Sequence, residues 1–412
     1  MQKRLVLILA AASLSVVPTA QPQGQQRQEV QLAEGEGKEI VQVVCSQCHS
    51  LNAVVNSGGY TRDGWKALIA SMVRLRSQHE AAVTAYLAQH YPVKPRPEAV
   101  MVPGDAQVTI REWMLPTLGQ RPHDPAPAPD GSIWWTGQWA NVLGRLDPKT
   151  GSLREYLLKT PDSDPHGLIA DSAGNIWYTG IGKRHVGKLD PISGDVTEYP
   201  MPDTAARGPH TPILDQRGTV WFTLQSGMVG RINPATGEVK VVRTPTANTY
   251  PYGIAVNSAG VPWYVDFRGN RVGSVDPTTM EIREYTLPDT AARPRRIAIT
   301  ADDAVWYTDH ARGYLGRFDP KTRTVREWPS PGGPRSRPYG IAATGSIVWY
   351  SESGVRPNTL VRFDPATERF QTWTIPSGGG IVRHMMATPD GNLVLALSGV
   401  NRVALVEVGG AP

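Results

Sequence analysis

The chain has 412 residues, enough for more than one domain. Its formal charge of +5 is spread thinly, and the densest basic clusters, Arg293–Arg296 and Arg335–Arg337, lie in contexts rich in proline and glycine. No run of lysine or arginine resembles a nucleic-acid footprint, so the composition argues against a nucleic-acid-binding protein.

The first 20 residues are typical of a secretory signal peptide. Lys3 and Arg4 form a positive start, Leu5–Val17 is an apolar run of 13 residues, and Pro18-Thr19-Ala20 supplies a small residue for cleavage. Thirteen residues are too few to span a bilayer, which takes about 20. An uncleaved anchor is the alternative, since proline is a poor residue three places before a cut. We therefore expect a signal peptide over residues 1–20 and a periplasmic or otherwise exported protein without a membrane span in its mature chain.

The segment Cys45-Ser46-Gln47-Cys48-His49 reads C-x-x-C-H, the attachment motif of a c-type haem. Two cysteines at this spacing can each form a thioether bond to a porphyrin vinyl group, and the histidine then lies under the iron as an axial ligand. The chain has no other cysteine, so no disulfide framework competes for these two. The alternative is a redox or zinc-binding C-x-x-C, but no further zinc ligands are visible nearby. The motif predicts one covalent haem c held by Cys45, Cys48 and His49.

A small helical unit surrounds this motif. The glutamine-rich residues 21–33 have little to bury and should be a disordered leader, whereas residues 34–91 have apolar residues at helical spacing. We predict helices at Glu39–Val44, Trp65–Val73 and Ala81–Tyr91. Prolines then break the pattern, so residues 92–106 should form a stiff linker. A unit of this size is small for independent stability, and a haem would supply the apolar mass that its core lacks.

The sixth position of the iron has several candidate ligands. Met72 is the only methionine of the helical unit and lies in its second predicted helix. A thioether ligand there would give a six-coordinate iron suited to electron transfer. Met72 could instead pack in the core, which is common for a methionine at helical spacing. His79 and His90 are rival ligands. We predict His49 and Met72 as the two ligands of the iron.

From about Gln107 onward, helical periodicity gives way to a repeat. Its tryptophan-type positions are separated by 43, 44, 42, 43, 43 and 45 residues: Trp134, Trp177, Trp221, Trp263, Trp306, Trp349 and Val394. A period of 40–45 residues built of short β-rich runs and turns is typical of a β-propeller. Each copy offers four strands, which in the second copy are His166–Asp171, Asn175–Thr179, His185–Asp190 and Val196–Tyr199.

The two ends of the repeat array predict seven blades. The last copy stops after Val403–Val408 and has no fourth strand, whereas Val108–Trp113 precedes the first copy and matches the fourth-strand pattern of Val325–Trp328. We therefore predict that the N-terminal strand completes the last blade and closes the ring, which removes an exposed edge. The alternative, an open array of sandwiches, leaves this first strand without a place.

Two positions recur in every copy, and we predict that both face the central channel. The first lies 11 residues before the tryptophan position (10 in the sixth copy) and holds His123, His166, His210, Tyr252, Arg295, Tyr339 and Arg383. The second lies three residues after it and holds Gly137, Gly180, Leu224, Asp266, Asp309, Glu352 and Leu397. A basic half would then face an acidic half around one pocket for a small-molecule ligand. The alternative is that these polar groups only line a wet channel.

The helical unit carries Trp65, Met72 and the segment Ala85–Ala88 after its C-x-x-C-H motif. With these residues it resembles a small class I-type c cytochrome, a family that pairs Trp-(x)6-Met with a closing Tyr-Leu-Ala helix. The resemblance covers the whole unit. It implies His49 as the proximal ligand, Met72 as the distal ligand, and one-electron transfer as the function.

The repeats contain phrases such as Pro165-His-Gly, Ile176–Thr179 and Thr197–Tyr199. With these phrases, residues 107–408 resemble the virginiamycin B (streptogramin) lyase family of seven-bladed propellers. The phrases describe the blade more than the activity, and a fold does not by itself imply a function. Together the two resemblances imply a small all-α cytochrome c domain followed by an all-β seven-bladed β-propeller.

The lyase family uses a general-base histidine and metal-binding glutamates from its later blades. In this chain Arg295 and Tyr339 stand where the histidines would be expected, and Asp309 and Glu352 fall near the acidic positions. Arginine cannot serve as a general base, because its pKa stays above about 12. The resemblance leaves open Mg²⁺ binding by the two carboxylates in the propeller.

Four functions compete at this point. The first is an exported electron-transfer protein whose propeller docks a redox partner or a ligand, and this is the function that we predict. The second is an oxidoreductase that passes electrons from a substrate in the channel to the haem. The third is a carbon–oxygen lyase similar to virginiamycin B lyase, acting on a cyclic peptide or similar ligand. The fourth is a ligand-binding sensor without catalysis.

Overall fold

The computed structural model describes residues 31–46, 51–55, 57, 59–70 and 75–409. The N-terminal part of these residues forms a helical unit with four helices: α1 (Lys38–Cys45), α2 (Asn52–Val55), α3 (Arg62–Ala70) and α4 (Ser77–His90). Helix α4 packs against α1 and α3. The core between them contains Val41, Trp65 and Tyr86, and the Trp65 indole donates a hydrogen bond to the carbonyl of Tyr91 at 3.1 Å. No helix in these described ranges is long and apolar enough to cross a bilayer.

The helical unit begins earlier than the sequence predicts. Leu32 is buried in its core, and the carbonyl of Ala33 accepts a hydrogen bond from the Tyr86 hydroxyl at 2.5 Å. The last residues of the predicted disordered leader are therefore ordered, because one leucine is enough to anchor them against α4. The predicted signal peptide and the rest of the leader, residues 1–30, lie outside the described residues.

Residues 107–409 form seven four-stranded antiparallel sheets arranged as the blades of a propeller. Blades one to three consist of β2 (Pro122–Pro127), β3 (Ile133–Gly137), β4 (Val142–Leu146), β5 (Leu153–Leu157); β6 (Pro165–Ala170), β7 (Ile176–Gly180), β8 (His185–Leu189), β9 (Val196–Pro200); and β10 (Pro209–Leu214), β11 (Val220–Leu224), β12 (Met228–Ile232), β13 (Val239–Arg243). Blades four and five consist of β14 (Pro251–Val256), β15 (Pro262–Asp266), β16 (Arg271–Val275), β17 (Ile282–Thr286); and β18 (Pro294–Ile299), β19 (Val305–Asp309), β20 (Tyr314–Phe318), β21 (Val325–Pro329). Blades six and seven consist of β22 (Pro338–Thr344), β23 (Ile347–Glu352), β24 (Thr359–Asp364), β25 (Arg369–Thr374); and β26 (Val382–Ala387), β27 (Leu393–Leu397), β28 (Arg402–Gly409), β1 (Gln107–Met114).

The first strand of the propeller closes the ring as predicted. Strand β1 pairs antiparallel with β28 along its whole length, from Gln107 opposite Gly409 to Met114 opposite Arg402. The last blade thus takes its outermost strand from the start of the array. This pairing confirms both the blade count and the closure predicted from the sequence.

The repeated tryptophan packs the centre of blades one to six. Trp177 is fully buried, stacks on Tyr199 of the outermost strand at 5.4 Å between ring centroids, and donates its indole N–H to Asp171 in the preceding turn at 2.9 Å. The glycine of the third strand makes room for the neighbouring aromatic ring, because a Cβ on Gly187 would lie 2.2 Å from the ring of Tyr178. The residues that recur in the repeat are therefore those that pack the interior of a blade.

Hydroxyl groups on the second strands join neighbouring blades around the channel. The Thr179 hydroxyl donates to the carbonyl of His210 in the next blade at 2.7 Å and accepts a hydrogen bond from the amide of Gly167 in its own blade at 2.9 Å. The same link to the next blade is made by Thr136, Thr223, Thr308 and Ser351. In blade four a valine, Val265, takes this position. Blade seven has Ala396 at this position, so these hydroxyl groups link the innermost strands at five of the seven junctions between blades.

The segment predicted as a linker packs on blade six. The carbonyl of Pro97 accepts a hydrogen bond from the amide of Arg356 at 2.9 Å, and the amide of Thr372 donates to the carbonyl of Val102 at 3.0 Å. The Arg356 guanidinium also lies 5.9 Å from the ring centroid of Tyr60 in the helical unit. Residues 97–102 therefore tie the helical unit to the propeller next to the loop that follows Glu352.

Candidate functional site

The innermost strand of every blade contains a β-bulge at its beginning. In blade two, for example, Pro165 pairs with Gly180 and Leu168 pairs with Tyr178, so two residues, His166 and Gly167, face the single residue Thr179. A bulge changes the direction of side chains, and bulges are common beside functional sites. Contacts between blades show that both bulge residues reach the channel, and they form two layers.

We call these layers the first ring and the second ring. The first ring consists of His123, His166, His210, Tyr252, Arg295, Tyr339 and Arg383, the first of the two positions predicted from the sequence. The second ring consists of the residues that follow them: Asp124, Gly167, Thr211, Gly253, Arg296, Gly340 and His384. Glycines are required in the second ring because the blades approach closely there; a Cβ on Gly167 would lie 2.4 Å from the carbonyl oxygen of His210.

Four aromatic members of the first ring pack against one another with tilted ring planes, at interplanar angles of 42–48°. Ring centroids are 3.6 Å apart for His123 and His166, 3.8 Å for His166 and His210, and 3.9 Å for His210 and Tyr252. Burial lowers the pKa of all three histidines well below the usual range, and nearby arginines lower it further. The three imidazoles are therefore neutral at pH 7.

Arg295 lies at the centre of a second group in the first ring. Its guanidinium carbon is 3.8 Å from the ring centroid of Tyr339, and its Nη1 is 2.9 Å from Nε2 of His310. The hydroxyl groups of Tyr252 and Tyr339 are hydrogen-bonded at 2.7 Å. Burial lowers the pKa of His310 to about 3, and Arg295 lowers it as well, so this neutral imidazole can accept the arginine's hydrogen bond.

The environments of the two tyrosines push their pKa values apart. Burial raises the pKa of Tyr252 to about 12. Burial also opposes ionisation of Tyr339, but the positive charges of Arg295, Arg383 and Arg296 and the hydrogen bond with Tyr252 lower its pKa to about 8. A pair of linked groups with separated pKa values is the arrangement that enzymes use for acid and base roles.

In the second ring, a buried ion pair crosses the channel. Nη2 of Arg296 lies 2.6 Å from Oδ1 of Asp124, and Nη1 donates to the Thr211 hydroxyl at 3.0 Å. The same carboxylate oxygen is 2.8 Å from Nδ1 of His123. Burial raises the pKa of Asp124 to about 6 in spite of the arginine.

The three carboxylates predicted to form the acidic half of the channel are hydrogen-bonded to nearby backbone and side-chain groups. Asp266 accepts hydrogen bonds from the amides of Tyr250 and Arg268. Asp309 binds the side chain of Arg312 at 2.6 Å. Both carboxylates are buried within their own blade edges. Their hydrogen bonds stabilise the loops beside them.

Glu352 is used in the same way. Its oxygens accept hydrogen bonds from the Ser330 hydroxyl, the Gly332 amide and the Thr359 hydroxyl. With their oxygens engaged by these groups, Glu352 and Asp309 are better suited to stabilising loops than to binding Mg²⁺. Among the described residues, the group whose donor atoms lie close enough for a metal, within 4.8 Å of one another, is His123, Asp124 and His166.

Three of the four residues predicted to hold the haem fall outside the described residues: Cys48, His49 and Met72. Cys45 is described, and it ends α1 beside the core of the helical unit. The rival histidines lie on α4, where His79 is half-buried and the ring of His90 packs 4.6 Å from that of Tyr86. The haem assignment therefore stays a prediction.

The sequence did not reveal Asp124, Arg296 and His310 as site residues. Each directly follows a predicted channel position, and in a regular strand its side chain would point the opposite way. The tandem polar residues at 123–124 and 295–296 were the available signal, since a bulge turns both residues of a pair to one side.

Comparisons with known proteins concern the propeller. A model of the virginiamycin B lyase family matches residues 109–345, more than half of the chain. No curated protein matches the chain in sequence. A streptogramin B lyase structure is 27% identical, with a TM-score of 0.67, and the alignment covers 73% of this chain and 98% of that one.

Two further solved structures are similar in fold. A catalytically inactive histidine-to-alanine variant of virginiamycin B lyase from Staphylococcus aureus, with quinupristin, is 22% identical, with a TM-score of 0.66 and coverage of 73% of this chain and 99% of that one. Hydrazine synthase from Kuenenia stuttgartiensis is 13% identical, with a TM-score of 0.60 and coverage of 71% and 97%. At these identities the likeness concerns the fold alone.

Proposed function

Because the chain belongs to the virginiamycin B lyase family, we propose that its propeller is a carbon–oxygen lyase in which Tyr339 is the general base. The observation that carries this proposal is the contact between Tyr339 and Arg295, 3.8 Å from ring centroid to guanidinium carbon. Arginine cannot take a proton at ordinary pH, but its charge can hold a neighbouring phenol in the ionised form. A tyrosinate thus replaces the histidine base that the family would lead one to expect here.

The reaction is an elimination in which two tyrosines share the proton transfers. The Tyr339 phenolate takes a proton from a carbon next to a carbonyl group, and the C–H electron pair forms a carbon–carbon double bond. The adjacent C–O bond breaks, and its oxygen takes the electron pair and a proton from Tyr252. A proton then passes along the 2.7 Å hydrogen bond from Tyr339 to Tyr252 and restores the starting state.

The test is an elimination assay with the full-length protein. Its substrates are quinupristin, the ligand named for the related lyase structure, and a set of β-acyloxy carboxylic acids, with the ultraviolet absorbance of the new conjugated double bond as the signal. We expect turnover by the wild type and a loss of at least a hundredfold in Tyr339→Phe, which is the typical size of a general-base effect. Tyr285→Phe, on the outermost strand of blade four, is the matched control. Absence of elimination with every substrate, or full activity in Tyr339→Phe, would contradict the proposal.

A second function is favoured by the helical unit. Cys45 packs against the core of this unit, as do other half-buried apolar side chains: Ile40, Leu51, Val55, Tyr60, Leu68 and Leu75. Such a surface suits a covalent porphyrin, which would cover it. We propose that Cys45 and Cys48 bind haem c, that His49 and Met72 are its iron ligands, and that the unit exchanges electrons with a redox partner protein outside the cytoplasm. The bound haem would supply one-electron transfer.

The haem proposal is tested by the visible spectrum of protein matured with haem-attachment machinery. We expect sharp α and β bands in the reduced wild type, and loss of the weak methionine–iron band near the red edge in Met72→Ala. Cys45→Ala combined with Cys48→Ala should contain no covalent haem. Reduced wild type without sharp bands would contradict the proposal. Reduction of the haem by a propeller substrate under anaerobic conditions would favour the oxidoreductase.

A further inference from the structure

Positive charge exceeds negative charge around the first ring. Arg295 and Arg383 belong to the first ring, and Arg121 directly precedes β2, which packs against β26, the strand of Arg383. Arg121 and Arg383 both lower the pKa of His123, and Arg295 and Arg383 both lower that of Tyr339. Within residues 75–409, none of the three has a carboxylate oxygen within the 4.0 Å of an ion pair. The fourth arginine of the channel, Arg296, is paired with Asp124.

The three arginines are half-buried, and parts of two of their side chains are shielded without a partner. The Nε atoms of Arg295 and Arg383 are shielded from solvent and have no hydrogen-bond partner, and neither have Nδ1 of His166 and Nε2 of His210, whose side chains are buried. A desolvated charge or donor without a partner destabilises the folded state. Arginine cannot escape this cost by losing its proton. Asp164 acts on Arg121, which still leaves the ring with an excess of positive charge.

We propose that the first ring binds a small organic anion and that its carboxylate lies between Arg121 and Arg383. Guanidinium groups match the two oxygens of a carboxylate, and such charge-assisted hydrogen bonds are stronger than neutral ones. Because the three histidines of the first ring are neutral, they do not cancel the positive charge of the arginines. The inference rests on the proposed function and deepens it by naming the substrate class: the substrate of the elimination is a carboxylic acid.

This substrate class suits the chemistry of the elimination. When the proton leaves the carbon next to a carboxylate, negative charge develops on the carboxylate oxygens. Fixed positive groups placed where charge develops lower the barrier, and they are most effective in a site that excludes water. Arg121 and Arg383 would bind that charge, while Arg295 lowers the pKa of Tyr339.

The cluster of His123, Asp124 and His166 in the two rings is poorly suited to a metal ion. His123, Asp124 and His166 are close enough together to hold one, but Oδ1 of Asp124 already binds Arg296 at 2.6 Å. Arg121 and Arg383 also act on His123, and their charges would repel a cation. The observations therefore favour an anion.

Calorimetric titration of the full-length protein with succinate tests the site without turnover. We expect succinate to bind the wild type, and to bind Arg383→Gln roughly ten- to a hundredfold more weakly, the equivalent of one charge-assisted hydrogen bond. Arg326→Gln is the matched control, because that arginine is exposed on the outermost strand of blade five. Unchanged affinity in Arg383→Gln would overturn the proposed position, and no binding to the wild type would overturn the anion site itself.

Inorganic phosphate is the second arm of the titration. If phosphate binds and succinate does not, the site is one for an inorganic oxyanion, and the carboxylate assignment is overturned. If succinate binds but no substrate is eliminated, the proposed lyase function fails while the anion site stands.

Thermal unfolding gives an independent measurement of the same site. Without added anion, Arg383→Gln should be at least as stable as the wild type, because it removes an unpaired charge. With saturating succinate, the wild type should gain stability and the variant should gain much less. Equal gains in both proteins would contradict a role of Arg383 in binding.

Discussion

Arg296 and Asp124 are 172 residues apart in the chain, yet Nη2 of the arginine lies 2.6 Å from Oδ1 of the aspartate. Both side chains are shielded from solvent, with at most 1% of either exposed. The pair joins blade five to blade one across the channel, and Thr211 adds a contact to blade three. Three blades that share no strand pairing are thus connected through one guanidinium.

Breaking this pair on one side should be more harmful than removing it altogether. Asp124→Leu leaves a buried guanidinium without a counter-charge, and we expect it to lower the free energy of unfolding by about 3–5 kcal/mol. The double variant with Arg296→Met leaves no buried charge at this point, so it should recover at least half of that loss. Urea denaturation of the wild type, both single variants and the double variant measures the coupling. Additive losses would contradict it.

The stability of the propeller should fall in mild acid. In the unfolded chain, histidines take up a proton near pH 6.5, whereas the buried His123, His166 and His210 have lowered pKa values and stay neutral in the fold. The unfolded state therefore binds more protons as the pH falls below 6.5, and stability is lost. At pH 5.5 each histidine accounts for about 1.4 kcal/mol relative to pH 7.5.

One carboxyl group works against this loss. The pKa of Asp124 is raised by burial to about 6, so its contribution to stability increases as the pH falls from about 6 to about 4. Three histidines outweigh it. Urea denaturation at pH 5.5 and pH 7.5 measures the net change in the free energy of unfolding. His210→Gln should reduce this change by about 1.4 kcal/mol. A stability that rises toward pH 5.5 would contradict the neutral state of the histidines.

The rate of elimination should depend on the ionisation of Tyr339. A base must be unprotonated to act, so kcat/KM should fall about tenfold for each pH unit below the pKa of about 8 and level off above it. Arg295→Gln removes the charge nearest to the ring and should move the midpoint to higher pH. Kinetics of both proteins from pH 6 to pH 10 measure the shift. An identical midpoint in the two would show that another group is the base.

The links between blades can be tested with a comparison that the chain itself provides. Thr179→Val removes the hydroxyl that joins the Gly167 amide to the His210 carbonyl, and it should cost about 1–3 kcal/mol because buried polar groups lose their partner. Blade four already has valine at this position, Val265. Val265→Thr should therefore be neutral or stabilising. Chemical denaturation of the two variants distinguishes loss of this hydrogen-bonded link from a general destabilisation caused by any substitution at this position.

The repeat made the architecture predictable from the sequence. A blade has to place one tryptophan, one glycine and several turns at fixed spacing, so the period of about 43 residues gave the blade count, and the unmatched strand at Val108–Trp113 gave the closure. The strands observed in blade two differ from the predicted ones by at most one residue at each end.

The channel was predictable only in part. Spacing identified the seven members of the first ring, but a strand pattern assigns alternate residues to opposite faces, and the bulges break that rule. Asp124 and Arg296 were missed for this reason. The partners of Asp309 and Glu352 were not predictable either, because a carboxylate at a strand end can bind loop amides or neighbouring side chains, and the sequence does not show which partner is nearer.

The helical unit was predicted less completely. Helix α4 begins at Ser77 rather than Ala81, and α2 was not foreseen because four residues carry too little periodicity. The interpretation of C-x-x-C-H as a haem site stays a prediction, since Cys48, His49 and Met72 lie outside the described residues.

The pairing of β1 with β28 also sets an order of events. During synthesis β1 is made first among the 28 strands, and its partner is made last. Until residues 402–409 emerge, β1 has no neighbour, and the other blades can form one after another while the circle stays open. Closure is therefore a single late step that joins the oldest and the newest parts of the array. A chain that ended before residue 402 would keep nearly every blade but lose the strand pairing that closes the ring.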